Sequence, residues 1–135
     1  MTDAERTQLP AAVALMVRLC ETPSPSRDEG AVADLVRAEL RALGATIVED
    51  DAAAALPAGC NNILASIPAT IEGGTPIALC AHLDTVPNSG PIEVAVRDGF
   101  LTNRHDDILG GDNKSAVAAI LTAVKRVVEE GRPHA

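Results

Sequence analysis

A histidine and a carboxylate follow a short apolar segment in the middle of the chain. Residues 77–81 read IALCA and are followed by His82, Leu83 and Asp84. At the end of a buried strand, such side chains project into the crevice where open α/β sheets bind their ligands. A metal-bound imidazole usually needs an acceptor on its other ring nitrogen, and Asp84 is near enough in sequence to serve His82. Taken alone, H-x-D is a short pattern, and a structural pairing of a partly buried histidine with a carboxylate explains it better.

A second candidate precedes an amphipathic segment further along the chain. Gly110 and Gly111 stand directly before Asp112, and two glycines at a helix start allow the backbone to approach another group closely. Ordinary N-capping is the simpler interpretation of Asp112 on its own. Carboxylates also bridge paired metal ions, however, and oxygen ligands combined with imidazole suit zinc, cobalt or manganese.

The elements that position these residues are predicted from apolar spacing and turn residues. Ser26 and Glu29 have the spacing of a capping box at a helix start, and Gly44 closes the same helix in a left-handed conformation. The predicted helices cover 3–20, where Pro10 either kinks the helix or marks its true start, the segment between Ser26 and Gly44, and 112–130. The predicted strands are 46–49, 62–67, 77–81 and a hairpin of 94–97 with 100–102. Helices mixed with buried strands favour an α/β fold, with helices packed on a mixed, largely parallel sheet.

Composition and charge narrow the choice of partners and compartment. The net charge is −8, with no block of Lys or Arg, which argues against nucleic acid or an anionic membrane as partner. No apolar run approaches the ~18–20 residues that cross a bilayer, and the polar N-terminus is unlike a signal peptide. Cys20, Cys60 and Cys80 are odd in number and form no C-x-x-C pair, so we expect buried, reduced thiols in a cytoplasmic protein.

The two candidate motifs occur in an order and spacing that resemble a known family. The chain reads ALCAHLDTVP around His82 and ILGGDNKSAVAAIL around Asp112, with SPSRDE, LRALGA and NNILASIP upstream. This pattern resembles the peptidase T-like branch of the aminoacylase and carboxypeptidase family of co-catalytic zinc hydrolases, from about Leu19 to Glu130. The resemblance implies that residues 1–135 are the amino-terminal part of a three-layer α/β/α catalytic domain, without the family's lid or dimerisation domain.

The resemblance also implies roles for individual residues. His82 matches the ligand of one metal ion, and Asp112 matches the carboxylate that bridges both ions and is followed by a cis peptide bond. Asp84 matches the catalytic acid that orients His82, while Thr85, Asn113 and Lys114 have supporting roles. The implied cofactors are two divalent ions, zinc or else cobalt or manganese, which activate a water for amide hydrolysis. The implied substrate is a short peptide cut at its amino end, and the full-length protein is expected to form a homodimer.

Several groups that the family needs are not visible in this sequence. Its catalytic base and a further ligand are adjacent glutamates that follow another strand, whereas Glu129 and Glu130 end the helix that Asp112 opens. We interpret this pair as a solvated helix end, and the polar residues 105–107 as a solvated loop. Two ligands cannot hold two metal ions firmly, so we expect the chain alone to be inactive.

Two alternatives to a peptidase remain open at this point. A deacylase of N-acyl amino acids would use the same metal motifs. A free-standing, non-catalytic metal-binding or interaction module would instead need a partner chain to cover its exposed sheet edges. A continuation of the natural chain past Ala135 with an adjacent glutamate pair would favour the enzyme.

Overall fold

The computed structural model describes residues 1–135, except for the side chain of Asp3. It contains helices and short strands in mixed order, which confirms the α/β class predicted from the sequence. The elements are α1 (Asp3–Thr7), α2 (Ala11–Glu21), α3 (Gly30–Ala42), β1 (Thr46–Glu49), α4 (Ala52–Ala55), β2 (Ile63–Ser66), β3 (Val94–Arg97), β4 (Phe100–Asn103) and α5 (Gly111–Glu129).

The paired strands form two small antiparallel sheets. Strand β1 pairs with β2, and β3 pairs with β4 around the predicted Asp98-Gly99 turn, where both residues have positive φ (52° and 83°). This combination is typical of a tight two-residue hairpin turn. The parallel pairing expected from the sequence is limited, within the described residues, to an isolated bridge between Pro25 and Thr85.

The core lies between helices α2, α3 and α5. Leu19 of α2 and Val32 of α3 are completely buried, and Val117 and Leu121 of α5 pack into the same cluster. The opposite side of α2 buries Val17 and Cys20 against Ile92 and Val94 beside the hairpin. Helix α2 therefore packs between α5, which carries Asp112 at its start, and the hairpin side of the molecule.

The helix predicted over residues 3–20 is divided in two. Pro10 is the N-cap of α2 and has extended backbone angles (φ −53°, ψ 145°), so α1 ends before it. Proline lacks the N–H that an uninterrupted helix would use at this point. Gly44 follows α3 with φ 76°, as predicted for a left-handed helix end. Within the described part of the chain, no helix combines the length and apolar character needed to cross a membrane.

The strand predicted over residues 77–81 is wrong for this chain. The segment belongs to neither sheet, and Ile77 and Leu79 are 82% and 57% exposed. Its apolar character predicted burial, but a strand is buried only when neighbouring strands and helices cover it.

The expected burial of the cysteines fails for a related reason. Cys20 is buried in the second cluster, but Cys60 is only partly buried and Cys80 lies exposed in the unpaired 77–81 segment. All three cysteines are free thiols, as expected.

Candidate active site

The structure brings His82 and Asp112 together at an open cleft. The Nε2 atom of His82 lies 3.3 Å from Oδ1 of Asp112. Both side chains are accessible, with exposed fractions of 51% and 94%. The cleft has a volume of about 410 Å³ and is lined by Ser26, His82, residues 84–86 and residues 108–112.

Backbone geometry at the start of α5 places the Asp112 carboxylate in this cleft. Gly110 has φ 73°, and a Cβ atom at this position would lie 3.3 Å from Cγ2 of Thr85. The peptide bond between Asp112 and Asn113 is cis, as the family resemblance implied, and both residues have non-helical angles. The N-cap of α5 is Gly110, and Asp112 lies two residues further on with non-helical backbone angles of its own. The simple N-cap interpretation of Asp112 is therefore wrong.

Asp84 determines which nitrogen of His82 carries a proton. Nδ1 of His82 lies 3.0 Å from both the backbone oxygen and the Oδ1 atom of Asp84. A carbonyl oxygen can only accept, so Nδ1 must be the donor in this arrangement. In the neutral imidazole, Nε2 then has a free lone pair directed toward Asp112.

Hydrogen bonds shift the pKa values of both His82 and Asp84. The hydrogen bond from Ser26 and then that from His82 lower the pKa of the Asp84 carboxyl. Partial desolvation acts to lower the pKa of His82, but hydrogen bonds with Asp84 and Asp112 outweigh it, so the pKa is raised. A raised pKa is the response expected of an imidazole whose two nitrogens both face oxygen acceptors.

The His82–Asp112 pair fits one edge of a metal site. Two ligand atoms bonded to zinc at about 2.0–2.1 Å in tetrahedral geometry are roughly 3.3 Å apart. A neutral Nε2 and a carboxylate are both electron-pair donors, so a cation between them satisfies both. Among the described residues, no three His, Cys, Asp or Glu side chains lie close enough together to form a complete ligand set.

Thr85 and Lys114, the residues expected to have supporting roles, are buried and make hydrogen bonds to the loop between α2 and α3. Thr85 is buried and donates its backbone N–H to the oxygen of Ser24. Lys114 is completely buried, and its Nζ donates to the backbone oxygen of Thr22 at 2.7 Å. Thr85 therefore links the segment that carries His82 to the loop between α2 and α3, and Lys114 links the start of α5 to the same loop.

The other polar candidates lie elsewhere. Residues 105–107 line a different cleft beside the hairpin, and His105 faces Glu93 at 3.5 Å. Glu129 and Glu130 pair with basic side chains of their own helix, Lys125 and Arg126, and remain largely exposed. These contacts agree with the prediction of a solvated helix end.

Sequence reasoning missed the role of Ser26. Its hydroxyl donates to Oδ2 of Asp84, and Ser26 is not the N-cap that would accept a backbone N–H at the start of α3. The predicted capping box is wrong, since Glu29 is itself the N-cap and makes no capping hydrogen bond through its side chain. The SPSRDE segment carried a usable signal, because it lies within the family resemblance. The local capping interpretation directed attention away from a partner 58 residues distant.

Comparisons with known proteins show similarity to one desuccinylase and to two peptidases. No protein-family model matches the sequence. The chain is 32% identical, over 98% of its length, to 34% of a succinyl-diaminopimelate desuccinylase from Gluconacetobacter diazotrophicus. Its structure resembles that of a tripeptidase from Staphylococcus aureus, with a TM-score of 0.85 and 28% identity over 92% of this chain and 33% of the tripeptidase. It also resembles aminopeptidase PepT from Bacillus cereus, with a TM-score of 0.87 and 27% identity over the same shares.

These similarities are all to hydrolases. The chain has the α/β fold of the corresponding part of the two peptidases, and it is similar in sequence to a desuccinylase. It spans only about a third of the length of each of these proteins.

Proposed function

We propose that this chain is the amino-terminal part of the catalytic domain of a metal-dependent amide hydrolase that acts on short peptides. The observation that carries the proposal is the 3.3 Å approach of His82 Nε2 to Asp112 Oδ1, with His82 Nδ1 held by Asp84. The similarity to a tripeptidase and an aminopeptidase supports a peptide as the substrate.

Each of the three residues has a separate task in this proposal. His82 would hold a metal ion through the lone pair of Nε2, and Asp112 would hold metal through its carboxylate oxygens. Asp84 keeps the proton of His82 on Nδ1, which orients the ring toward Asp112. Two divalent ions, zinc or else cobalt or manganese, would supply Lewis acidity and lower the pKa of a bound water.

The remaining ligands and the general base belong to sequence outside these 135 residues. The relatives are about three times as long as the chain, which supports this part of the proposal. The full-length protein would then be a cytoplasmic enzyme, and a homodimer remains our prediction for it.

A deacylase is the second candidate function. It is supported by the 32% identity to a succinyl-diaminopimelate desuccinylase, which exceeds the 27% and 28% identities to the two peptidases. Both reactions cleave an amide bond, so the same His82, Asp84 and Asp112 arrangement serves either one.

The test compares two substrates and two histidine variants in the complete protein that carries this sequence. Hydrolysis of a tripeptide and of an N-succinyl amino acid is measured with added zinc, cobalt or manganese and after chelation. We expect chelation and His82→Ala each to abolish turnover and His82→Ala to reduce bound metal. His105→Ala, at the separate cleft, is the matched control and should retain both. Full activity of His82→Ala would overturn the proposal, and a preference for the succinyl substrate would favour the deacylase.

A further inference from the structure

The two oxygens of the Asp84 carboxylate have different partners. Oδ1 faces Nδ1 of His82 at 3.0 Å, while Oδ2 accepts the hydroxyl hydrogen of Ser26. A carboxylate held at both oxygens cannot rotate about its Cβ–Cγ bond without breaking one of these contacts. The orientation of Asp84 therefore depends on the position of the Ser26 hydroxyl.

The loop that carries Ser26 is itself fixed on the segment that carries Asp84. The backbone N–H of Thr85 donates to Ser24 at 2.8 Å, and that of Ser26 donates to Thr85 at 3.3 Å. The Ser24 hydroxyl, in a completely buried residue, donates to the backbone oxygen of Leu83 at 2.8 Å. Leu83 and Thr85, on either side of Asp84, are thus hydrogen-bonded to the loop, and these bonds place the Ser26 hydroxyl beside the Asp84 carboxylate.

The other end of the loop is attached to the helix that presents Asp112. The buried Lys114 of α5 donates to the backbone oxygen of Thr22. The loop thus connects both halves of the proposed site. Ser26 does not cap α3, so its hydroxyl can be removed without loss of a helix cap.

We propose that Ser26 is a positioning residue of the site: it fixes the Asp84 carboxylate beside Nδ1 of His82. There the carboxylate joins the backbone oxygen of residue 84 as acceptor of the Nδ1 proton, so that His82 presents Nε2 toward Asp112. The orientation of the His82 ring follows from the hydrogen bonds described here. The role of that orientation in binding a metal rests on the function proposed above. Ser26 touches neither of the two proposed ligands, and it acts through Asp84.

The direct test is the tautomer of His82 in the metal-free full chain. Histidine labelled with ¹⁵N reports the proton position by NMR, at a pH where the imidazole is neutral. The His82 signals are assigned by their loss in His82→Gln. We expect the Nδ1–H form to dominate in the wild type and to lose part of its population in Ser26→Ala, in which the backbone oxygen of residue 84 remains as an acceptor for Nδ1. Ser26→Thr keeps the hydroxyl and should restore the wild-type ratio.

Two further variants make the comparison specific. Ser89 also donates its hydroxyl to a carboxylate, that of Asp107 at 2.8 Å, away from the site, so Ser89→Ala should leave the His82 tautomer unchanged. Ser26→Cys keeps the size of the side chain but donates weakly, and it provides an intermediate result if the alanine variant folds poorly.

Zinc titration of the same samples separates the two proposals. We expect Ser26→Ala to weaken the zinc response of His82 by about 3- to 10-fold, below the 10- to 100-fold typical of a residue in direct contact with a ligand. An unchanged tautomer in well-folded Ser26→Ala overturns the positioning role. A shifted tautomer without any zinc response in the wild type supports the positioning role and overturns the proposed metal function.

Discussion

Removal of the Asp84 side chain should weaken metal binding in the complete protein by about 10-fold. Substitution of a residue that orients a metal-binding histidine typically costs 10- to 100-fold in affinity. The structure places Asp84 at the lower end of this range, because the backbone oxygen of residue 84 also lies 3.0 Å from Nδ1 of His82 and survives in Asp84→Ala. The partial exposure of both side chains further screens the interaction. A 10-fold loss corresponds to about 1.4 kcal/mol.

The assay is a zinc competition titration against a chromophoric chelator, together with tripeptide hydrolysis at saturating zinc. We expect the affinity to fall in Asp84→Ala and part of the activity to return when zinc is in excess. Glu93→Ala is the matched control, since Glu93 faces His105 at 3.5 Å in an arrangement of the same kind outside the site. It should bind zinc like the wild type.

Three results would refute this reasoning. An affinity unchanged within about twofold, against the 10-fold or greater loss expected of such a residue, would mean that Asp84 does not orient His82. A loss far above the 100-fold end of that range would mean that Asp84 binds the metal directly. Equal effects of Asp84→Ala and Glu93→Ala would indicate a general change in charge or folding.

Three further predictions concern reactivity and stability. Cys80 is exposed and should react quickly with a thiol reagent. Burial raises the pKa of Cys20 to about 11, so Cys20 should react only when the protein unfolds. Mass spectrometry of the labelled protein measures both reactions. Gly110→Ala should lower the free energy of unfolding by about 1–2 kcal/mol in urea titrations, because φ is 73° and the new Cβ would crowd a methyl group; no loss would contradict the left-handed geometry. Hydrogen bonds from Arg6 lower the pKa of Glu21 from 4.5, so its stabilising effect should be present above that pH and lost as pH falls through the lower, folded value. Glu21→Gln should remove part of this acid sensitivity in thermal melts, and an identical pH profile would contradict it.

Features set by neighbouring residues were predictable from the sequence. The hairpin follows from Asp98-Gly99, whose φ values are positive as a tight turn requires. The end of α3 follows from Gly44, and the amphipathic pattern of α5 places Val117 and Leu121 in the core. The pairing of His82 with Asp112 was expected from the order of two motifs that resemble a family, and no local rule supplies it.

Features set by distant residues were not predictable in the same way. The apolar segment 77–81 has the composition of a buried strand, but burial depends on neighbours that the chain does not place there, so Ile77 and Leu79 remain exposed. Cys80 is exposed for the same reason. Periodicity can indicate that a segment is suited to a sheet, but it cannot show which strands lie beside it.

Ser26 shows how a tertiary partner can displace a local one. Its spacing from Glu29 satisfies a capping box, which stabilises a helix end by about 1 kcal/mol. The structure directs its hydroxyl to Asp84 instead, and a hydrogen bond to a charged group is worth about 1.5–3 kcal/mol, somewhat less where water can compete. Glu29 is also engaged elsewhere, accepting from the backbone N–H of Arg27, which has φ 79°. Helix α3 therefore begins without a capping box, and the Ser26 hydroxyl orients the Asp84 carboxylate beside His82 instead.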